Sequence, residues 1–526
     1  MAQINREQQR AELHKTIWNI ANDLRGSVDG WDFKQYVLGF LFYRYISENF
    51  TNYLNSNEHK SGIKDFDYAK LTDEYVKQIP EKEIETIINS KGFFIWPSQL
   101  FCNVRKNAKN DENLNETLEK TFKAIEQSSK GKASEDNFKG LFDDLDVNSS
   151  KLGATVAERN KKLIKIIDKI GDMNLGDYQS NAIDAFGDAY EFLMGMYASQ
   201  AGKSGGEYYT PQEVSELLAK LTLVDKKEVN KVYDPACGSG SLLLKFAKVL
   251  GKDNVRNGFF GQDINLTTYN LCRINMFLHD IDFDKFNIGN GDTLINPLHW
   301  DDEPFEAIVS NPPYSTKWEG DSIPYLINDQ RFAPAGVLAP KSKSDMAFIM
   351  HSLSWLATNG ITAIVCYPGI LYRGGAEQKI RKYLVNSNFI DCIIQLPSNL
   401  FFGTSIPTCI MVLKKSKKEN STLFIDASKY YQKVTNNNKL TNKNIDDILK
   451  LFIERKDVKY IAKLVDNNTI ASNDYNLSVS TYVEKEDTRE IIDIKKLNFE
   501  IDEIVKKEDE LRSKINQIIK EIENNE

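Results

Sequence analysis

Cysteine is scarce in this 526-residue chain: Cys102, Cys237, Cys272, Cys366, Cys392 and Cys409 lie far apart in the sequence. No CxxC pair or Cys/His cluster has zinc-ligand spacing, so a disulfide framework and a structural metal are both excluded, and no metal site is expected. A reduced cytoplasmic protein fits this usage. Long apolar runs are missing as well. The most apolar early stretch, residues 36–46, contains Arg44 and is too short to span a bilayer. Residues 1–10 are polar with no apolar segment behind them, which is not a secretory signal. Excess positive charge is also lacking: 67 basic against 75 acidic residues leave a net charge of −8. A chain that grips a polyanion alone over a broad basic face is thereby disfavoured, because neutralising phosphates supplies much of such affinity. If nucleic acid is the substrate, a partner supplies part of the grip. Gly202-Lys203-Ser204 resembles the tail of a P-loop, but Tyr197 stands where that motif needs glycine, so ATP hydrolysis is not encoded. No internal repeat is present.

What is there divides into three stretches, since 526 residues exceed one core. Residues 1–175 carry helical periodicity (Ile17, Ile20, Ala21, Leu24; then Phe33, Val37, Phe40, Leu41, Ile46) and read as a helical interaction domain. Residues 176–425 alternate short apolar runs (232–234, 258–262, 307–310, 361–367, 390–396, 408–413) with helical patterns (242–250, 268–279, 347–357, 378–385). That alternation predicts an α/β fold: an open, mostly parallel sheet with helices on both faces, binding ligands at the carboxyl ends of its strands. Residues 426–526 are rich in Lys, Asn and Asp with helical patterns. They close on Leu497, Ile501, Ile504, Leu511, Ile515, Ile518 and Ile522, a 4-3 spacing broken only by Glu508. A coiled-coil helix over about 495–524 is expected, pairing with another chain; packing on its own chain is the alternative.

The chemistry-bearing residues fall at predicted strand ends. Asp234 closes an apolar run and leads through Pro235-Ala236-Cys237 into Gly238-Ser239-Gly240-Ser241, a tight turn whose glycines let backbone approach a ligand. Leu243 replaces the third glycine of a dinucleotide fingerprint, which favours a compact cofactor such as S-adenosylmethionine over a pyrophosphate one. Gly261-Gln262-Asp263 ends the next run, and Asp263 is placed to accept ribose hydroxyls. Gly289-Asn290-Gly291-Asp292 follows another run, with Asp292 placed to accept from an adenine amino group. Each aspartate alone is equally a turn or cap residue; on successive strands they outline an adenosyl pocket.

The reaction is suggested by Asn311-Pro312-Pro313-Tyr314, which follows the run 307–310. The prolines stiffen the backbone and donate nothing, leaving carbonyls free to accept. An exocyclic amine conjugated to a ring is a poor nucleophile because its lone pair is delocalised. The Asn311 side-chain oxygen and the Pro312 carbonyl each accept one amino hydrogen, which frees that lone pair for attack on a sulfonium methyl. Tyr314 offers a face for an extruded base. A strand-ending Pro-Pro turn is the bland alternative. Upstream, Gly206-Glu207-Tyr208-Tyr209-Thr210-Pro211-Gln212 precedes a helix, with Thr210 expected as N-cap and Pro211 as its first residue.

In this order (GEYYTP, DPACGSG, GQD, GNGD, NPPY) the chain resembles the modification (M) subunit of bacterial type I restriction–modification systems, N6-adenine DNA methyltransferases of the gamma arrangement. The segment 184–191 and the stretch 397–408 extend the likeness over nearly the whole chain. The resemblance implies a Rossmann-like S-adenosylmethionine-dependent methyltransferase fold with a helical N-terminal domain and a C-terminal helical tail. It implies that Glu207, Tyr208, Tyr209, Thr210, Pro211 and Gln212 line the methionine end of the cofactor. It further implies that Ser239, Gly240 and Ser241 wrap its amino-acid portion, with Asp234 and Gly238 in the same cofactor site, while Asp263 holds its ribose and Asp292 its adenine. Asn311 to Tyr314 would bind the target adenine, with Phe401 or Phe402 on its other face. The implied partners are duplex DNA with a flipped adenine and a specificity (S) subunit, reached through the C-terminal helix and the N-terminal domain. A restriction (R) subunit completes the complex, with two M per S, in the cytoplasm at the nucleoid. Methylation of a protein glutamine amide uses the same NPPY chemistry and is the competing enzyme reading. Cytosine-N4 methylation is disfavoured because Asn, not Ser, opens the motif. A silent scaffold would not need every one of these residues. Residues 315–344 form a long polar loop placed to close over a base.

Overall fold

The computed structural model describes residues 11, 13–15, 17, 32–173, 175, 185–200, 210–401, 405–434, 437–486 and 493–524. The described N-terminal part is mostly helical, as the periodicity over 33–46 predicts, while Ile20, Ala21 and Leu24 lie outside the described residues. Helix α1 (Asp32–Lys60) buries nearly all of residues 36–46. Arg44, the one charge in that run, is spent on the end of another helix. Its guanidinium donates to the carbonyls of Ile170 (2.6 Å) and Met173 (2.9 Å) at the carbonyl end of α3 (Val156–Asp172), where the helix dipole favours a cation. The amino end of α3 is closed by a reciprocal Thr155/Glu158 capping box. Between them α2 (Leu114–Ser128) turns Leu118, Phe122 and Ile125 into the same core. Helix α4 (Ala185–Gln200) follows.

After α5 (Gln212–Thr222) the chain builds a nine-stranded sheet. Its elements are β1 (Val232–Asp234), α6 (Ser241–Leu250), β2 (Phe259–Asp263), α7 (Leu266–Leu278), β3 (Phe286–Asn290) and β4 (Phe305–Ser310). They continue with α8 (Asp345–Trp355), β5 (Leu356–Cys366), α9 (Ala376–Asn386), β6 (Ile390–Gln395), β7 (Cys409–Lys414) and β8 (Ser421–Asp426). A separate hairpin of β9 (Gln432–Val434) and β10 (Asn437–Lys439), α10 (Asn442–Glu454) and β11 (Ala462–Asp466) complete it. The spatial order is β11-β8-β6-β7-β5-β4-β1-β2-β3. Neighbours are parallel except around β7, which runs antiparallel between β5 and β6, and at β11, antiparallel on β8.

The central strands are apolar on both faces because both faces are covered. Along β5, Ile361, Ala363 and Val365 enter one core while Ile364 and Cys366 enter the other. Ile410 and Val412 of β7 alternate in the same way with Cys409, Met411 and Leu413. The expected strand series ended at residue 413, whereas β8 and β11 extend the sheet. The edge strand β11 interleaves Lys463 and ends on Asp466, so it carries no apolar run for a reader to find. Leu356 and Ala357, expected to close a helix, instead open β5.

Residues 484–526 form a second unit. It holds α11 (Ile494–Glu523), a single 30-residue helix with no buried residue. No helix among the described residues is long and apolar enough to cross a membrane.

Gly258, just before β2, has φ +95°, and a Cβ there would stand 2.2 Å from the Lys285 carbonyl oxygen. Gly131, at φ +73°, has nothing within 4 Å. Gly131→Ala is therefore expected to cost about 1 kcal/mol, the left-handed penalty alone. Gly258→Ala adds a backbone clash and should cost more than about 2 kcal/mol. Chemical denaturation of the two variants checks this, and equal midpoints would contradict the packing described.

Candidate active site

The strand order reverses at β1: β2 and β3 lie on one side and β4 and β5 on the other. The crevice outside such a switch point is where open α/β sheets take ligands. The two strongest sequence motifs leave the sheet there, from Asp234 at the end of β1 and from Asn311 just after β4.

The turn after β1 uses its two glycines differently. Gly240 (φ +78°) is the N-cap of α6, and a Cβ on it would meet Cys272 Sγ at 2.7 Å and Met276 Cε at 3.1 Å. It is a packing glycine. Gly238 (φ +52°) has nothing within 4 Å of its missing Cβ, so here bare backbone faces open space. Its N–H donates to Asp263 Oδ2 (2.9 Å). Ser239 and Ser241 bring their hydroxyls together at 3.2 Å, and the Ser239 carbonyl accepts from Asn275 Nδ2 at 2.8 Å.

Asp263 and Asp292 stand at the ends of adjacent strands, β2 and β3. Asp263 Oδ1 accepts from Thr268 Oγ1 (2.7 Å) and from the N–H of Asn265 (2.9 Å), so this carboxylate braces the turn as well as edging the crevice. Asp292 Oδ1 accepts from the N–H of Leu294 at 2.9 Å. Gln262, between the motif's Gly and Asp, is buried and structural. Its amide donates to the carbonyls of Gly291 (3.1 Å) and Asn296 (2.9 Å) and accepts from the N–H of Leu298 (3.0 Å).

Asn311 is half-buried between two hydroxyls. Its Nδ2 donates to Thr210 Oγ1 (2.9 Å), and its Oδ1 accepts from the Tyr314 hydroxyl. A carbonyl oxygen has two lone pairs and accepts, which is the chemistry an amine hydrogen needs. Thr210 was expected to cap the next helix. Pro211 holds that position instead, with no side-chain cap, and the carbonyl of Pro211 accepts from Ser215 Oγ (3.2 Å). The Thr210 hydroxyl goes to Asn311 because a tertiary partner outcompetes the local one. Gln212 begins α5. Glu207, Tyr208 and Tyr209 lie outside the described residues, as does Phe402; Phe401 is buried in the core.

Three residues without a sequence signal matter here. Ile264 follows Asp263 and is 70% exposed, an apolar surface beside the Asp263 turn. Arg331, within the long loop 315–344, is buried: it donates to the carbonyls of Thr293 (2.8 Å) and Leu294 (2.8 Å) and pairs with Asp329 (2.8 Å). It also meets His351 Nδ1 at 3.2 Å, whose Nε2 meets the Tyr233 hydroxyl at 3.0 Å. Burial, then the Arg331 charge, hold the His351 imidazole well below its ordinary pKa and so neutral. The loop is thus fastened beside Asp292, and its Trp318, Leu326 and Phe332 join the core on one face of the sheet. In sequence, Asp329-Gln330-Arg331 looks like an ordinary solvated loop.

Asp234 is fully buried, with Oδ1 accepting from the N–H of Ala236 (3.0 Å). Burial pushes its carboxyl from 3.8 up to about 7, with the Asp263 charge acting in the same sense and the Ala236 N–H and Ser310 hydroxyl opposing. Between those values the folded chain keeps a proton that the unfolded chain has lost, so stability falls as pH rises from about 4 to 7. The loss is on the order of a few kcal/mol. Asp234→Asn should flatten that slope in denaturation midpoints measured from pH 4 to 8. Parallel profiles for the two proteins would contradict the assignment.

Over residues 181–491 the chain matches the family described as N-6 DNA Methylase, and over residues 13–170 the HsdM N-terminal domain. It is 50% identical to the type I restriction enzyme MpnII methylase subunit of Mycoplasma pneumoniae, across 98% of this chain and 97% of that one. It is 30% identical to the MjaVIII methylase subunit of Methanocaldococcus jannaschii, across 81% and 70%. Among solved structures, a type I restriction-modification system methyltransferase subunit from Streptococcus thermophilus superimposes with a TM-score of 0.80 at 34% identity, covering 90% of this chain and 100% of that one. With its glycine turn and its Asn-Pro-Pro-Tyr corner at one switch point, this chain belongs to the N-6 DNA methylase family, as a methylase subunit of the type I restriction-enzyme kind.

Proposed function

We propose that the chain methylates the N6 amino group of adenine in duplex DNA, using S-adenosylmethionine, as the modification subunit of a complex whose specificity subunit reads the site. The observation that carries this reading is the placement of Asn311 Oδ1, oriented by Thr210, at the same switch point as the bare backbone of Gly238. The residues present fit the cofactor. Gly238 leaves room for close approach, Ser239 and Ser241 present hydroxyls, Asp263 suits a ribose, and Asp292 with exposed Ile264 suits an adenine ring. When bound, the cofactor supplies an electrophilic methyl on sulfonium; the transfer makes one N–C bond, breaks one S–C bond and releases one amine proton.

The work of the chain is to make the amine nucleophilic. Asn311 Oδ1 and the Pro312 carbonyl each accept one amine hydrogen, drawing the nitrogen out of conjugation, and the Tyr314 ring stacks on the extruded base. Pro313 keeps the corner stiff. Glu207, Tyr208 and Tyr209 complete the methionine end.

We assign residues 1–175 to a helical interaction domain, 176–425 to catalysis and 426–526 to a docking tail. The exposed seam of α11 (Leu497, Ile501, Ile504, Leu511, Ile515, Ile518, Ile522) fits the packing surface of a partner helix. The specificity subunit is that partner, with two modification subunits around one specificity subunit, a restriction subunit in the full assembly, and the cytoplasm as its place. The net charge of −8 agrees with a partner that supplies much of the DNA grip.

Purified with its specificity partner, the chain should transfer labelled methyl to adenine in duplex DNA. Asn311→Ala should lower that rate by at least about a hundredfold, as the loss of one transition-state acceptor would, while cofactor binding persists. Undiminished transfer by the variant would remove Asn311 from the mechanism. A chain ending at residue 483 should bind cofactor normally yet fail to co-elute with the specificity partner. Co-elution would move the docking surface elsewhere.

A further inference from the structure

Helix α7 has two occupations. Toward the crevice, Asn265 caps it and Thr268 Oγ1 donates to Asp263. Asn275 holds the Ser239 carbonyl, and Cys272 and Met276 pack against Gly240. Every residue from Asn270 to Leu278 is buried, so the helix has no solvent-facing side over that span.

On its other side the same helix is tied to the N-terminal segment 136–144. Asp144 accepts from Thr267 Oγ1 (3.1 Å) and from Asn270 Nδ2 (3.0 Å). Arg273, 1% exposed, donates through one guanidinium nitrogen to the carbonyls of Asp136 (2.9 Å), Asn137 (3.2 Å) and Lys139 (3.0 Å). Its other terminal nitrogen donates to Asn270 Oδ1 (2.6 Å), and the guanidinium lies 4.1 Å from the Tyr269 ring centroid. Asn270 is therefore shared, one end on Asp144 and the other on Arg273. Burying a guanidinium against carbonyls with no facing carboxylate hydrogen-bonded to it is a costly way to hold two segments together; an apolar pair does so at less cost. What a fork of fixed donors adds is position.

We propose that Arg273 and Asp144 are positioning residues for the cofactor cradle: through α7 they set the placement of Ser239 and Asp263 against the N-terminal segment 136–144. The N-terminal domain is in this sense part of the cofactor site, although none of its residues from 136 to 144 lies at the crevice motifs. The inference rests on reading that cradle as the S-adenosylmethionine site.

The test is calorimetric binding of S-adenosylmethionine to the full chain, with steady-state methylation in the presence of the specificity partner and thermal melting alongside. Asp144→Ala, at a half-buried position, removes the carboxylate that Thr267 and Asn270 share. Arg273→Lys keeps the charge and loses the fork. Each is expected to weaken binding roughly three- to tenfold and to raise KM for the cofactor by the same factor. kcat at saturating cofactor should stay at the wild-type value, and the loss of affinity should persist at temperatures well below each variant's own melting midpoint. Wild-type affinity in both variants would overturn the proposal. So would binding that falls only in step with melting and recovers on cooling, since that is general loosening. A wild-type chain that shows no binding heat would instead sink the cofactor reading itself.

Discussion

The parallel pairing of β1 with β4, Val232 against Ala307 and Tyr233 against Ile308, is the constraint on which the rest depends. These strands are separated in sequence by two complete strand–helix units, yet sit side by side because the chain crosses back over β1 before laying down β4. Their carboxyl ends then emerge together, one carrying a glycine turn, the other a proline corner. Slip that pairing by one residue and every side chain of β4 changes face. Tyr233 secures it from within: its ring stacks on Phe305 at 4.5 Å, and its hydroxyl meets His351.

Around this pairing the loops are held by buried polar side chains rather than left to solvent. Gln262 ties β2 to the segment beyond Asp292, His299 meets the Gly261 carbonyl at 2.9 Å, and Arg331 pins the long loop to Thr293 and Leu294. Each ties down backbone groups that would otherwise cost free energy to bury. Together they brace the backbone around the crevice, the support that the proposed acceptance of two amine hydrogens calls for. The buried carboxyl of Asp234, pushed up to about 7, shows that the same compactness carries an electrostatic cost.

Much of this was readable in the sequence. The ends of β1 fall where the apolar run 232–234 ends, and the four motifs all stand at strand termini on neighbouring strands. The resemblance to type I modification subunits agreed with the comparisons. What escaped reading shares a cause: it is decided by partners remote in sequence. A Thr-Pro pair before a helix signals a cap, and nothing local says that the hydroxyl is taken by an asparagine about a hundred residues later. The direction of β7 is invisible because an apolar run carries no polarity. Arg331 and Arg273 belong to a residue type that is nearly always solvated, so only tertiary structure discloses that both are buried.

Helix α11 has a consequence for the life of the chain in the cell. A rod of 30 residues whose seven seam residues, among them Leu511 and Ile515, stay in water invites the wrong neighbours, including a second copy of itself. Synthesis in surplus over whatever covers that seam therefore yields orphans that clump or are degraded. With the proposed docking on this seam, the number of working assemblies is set by the scarcer protein, and the tail becomes a gauge of matched supply.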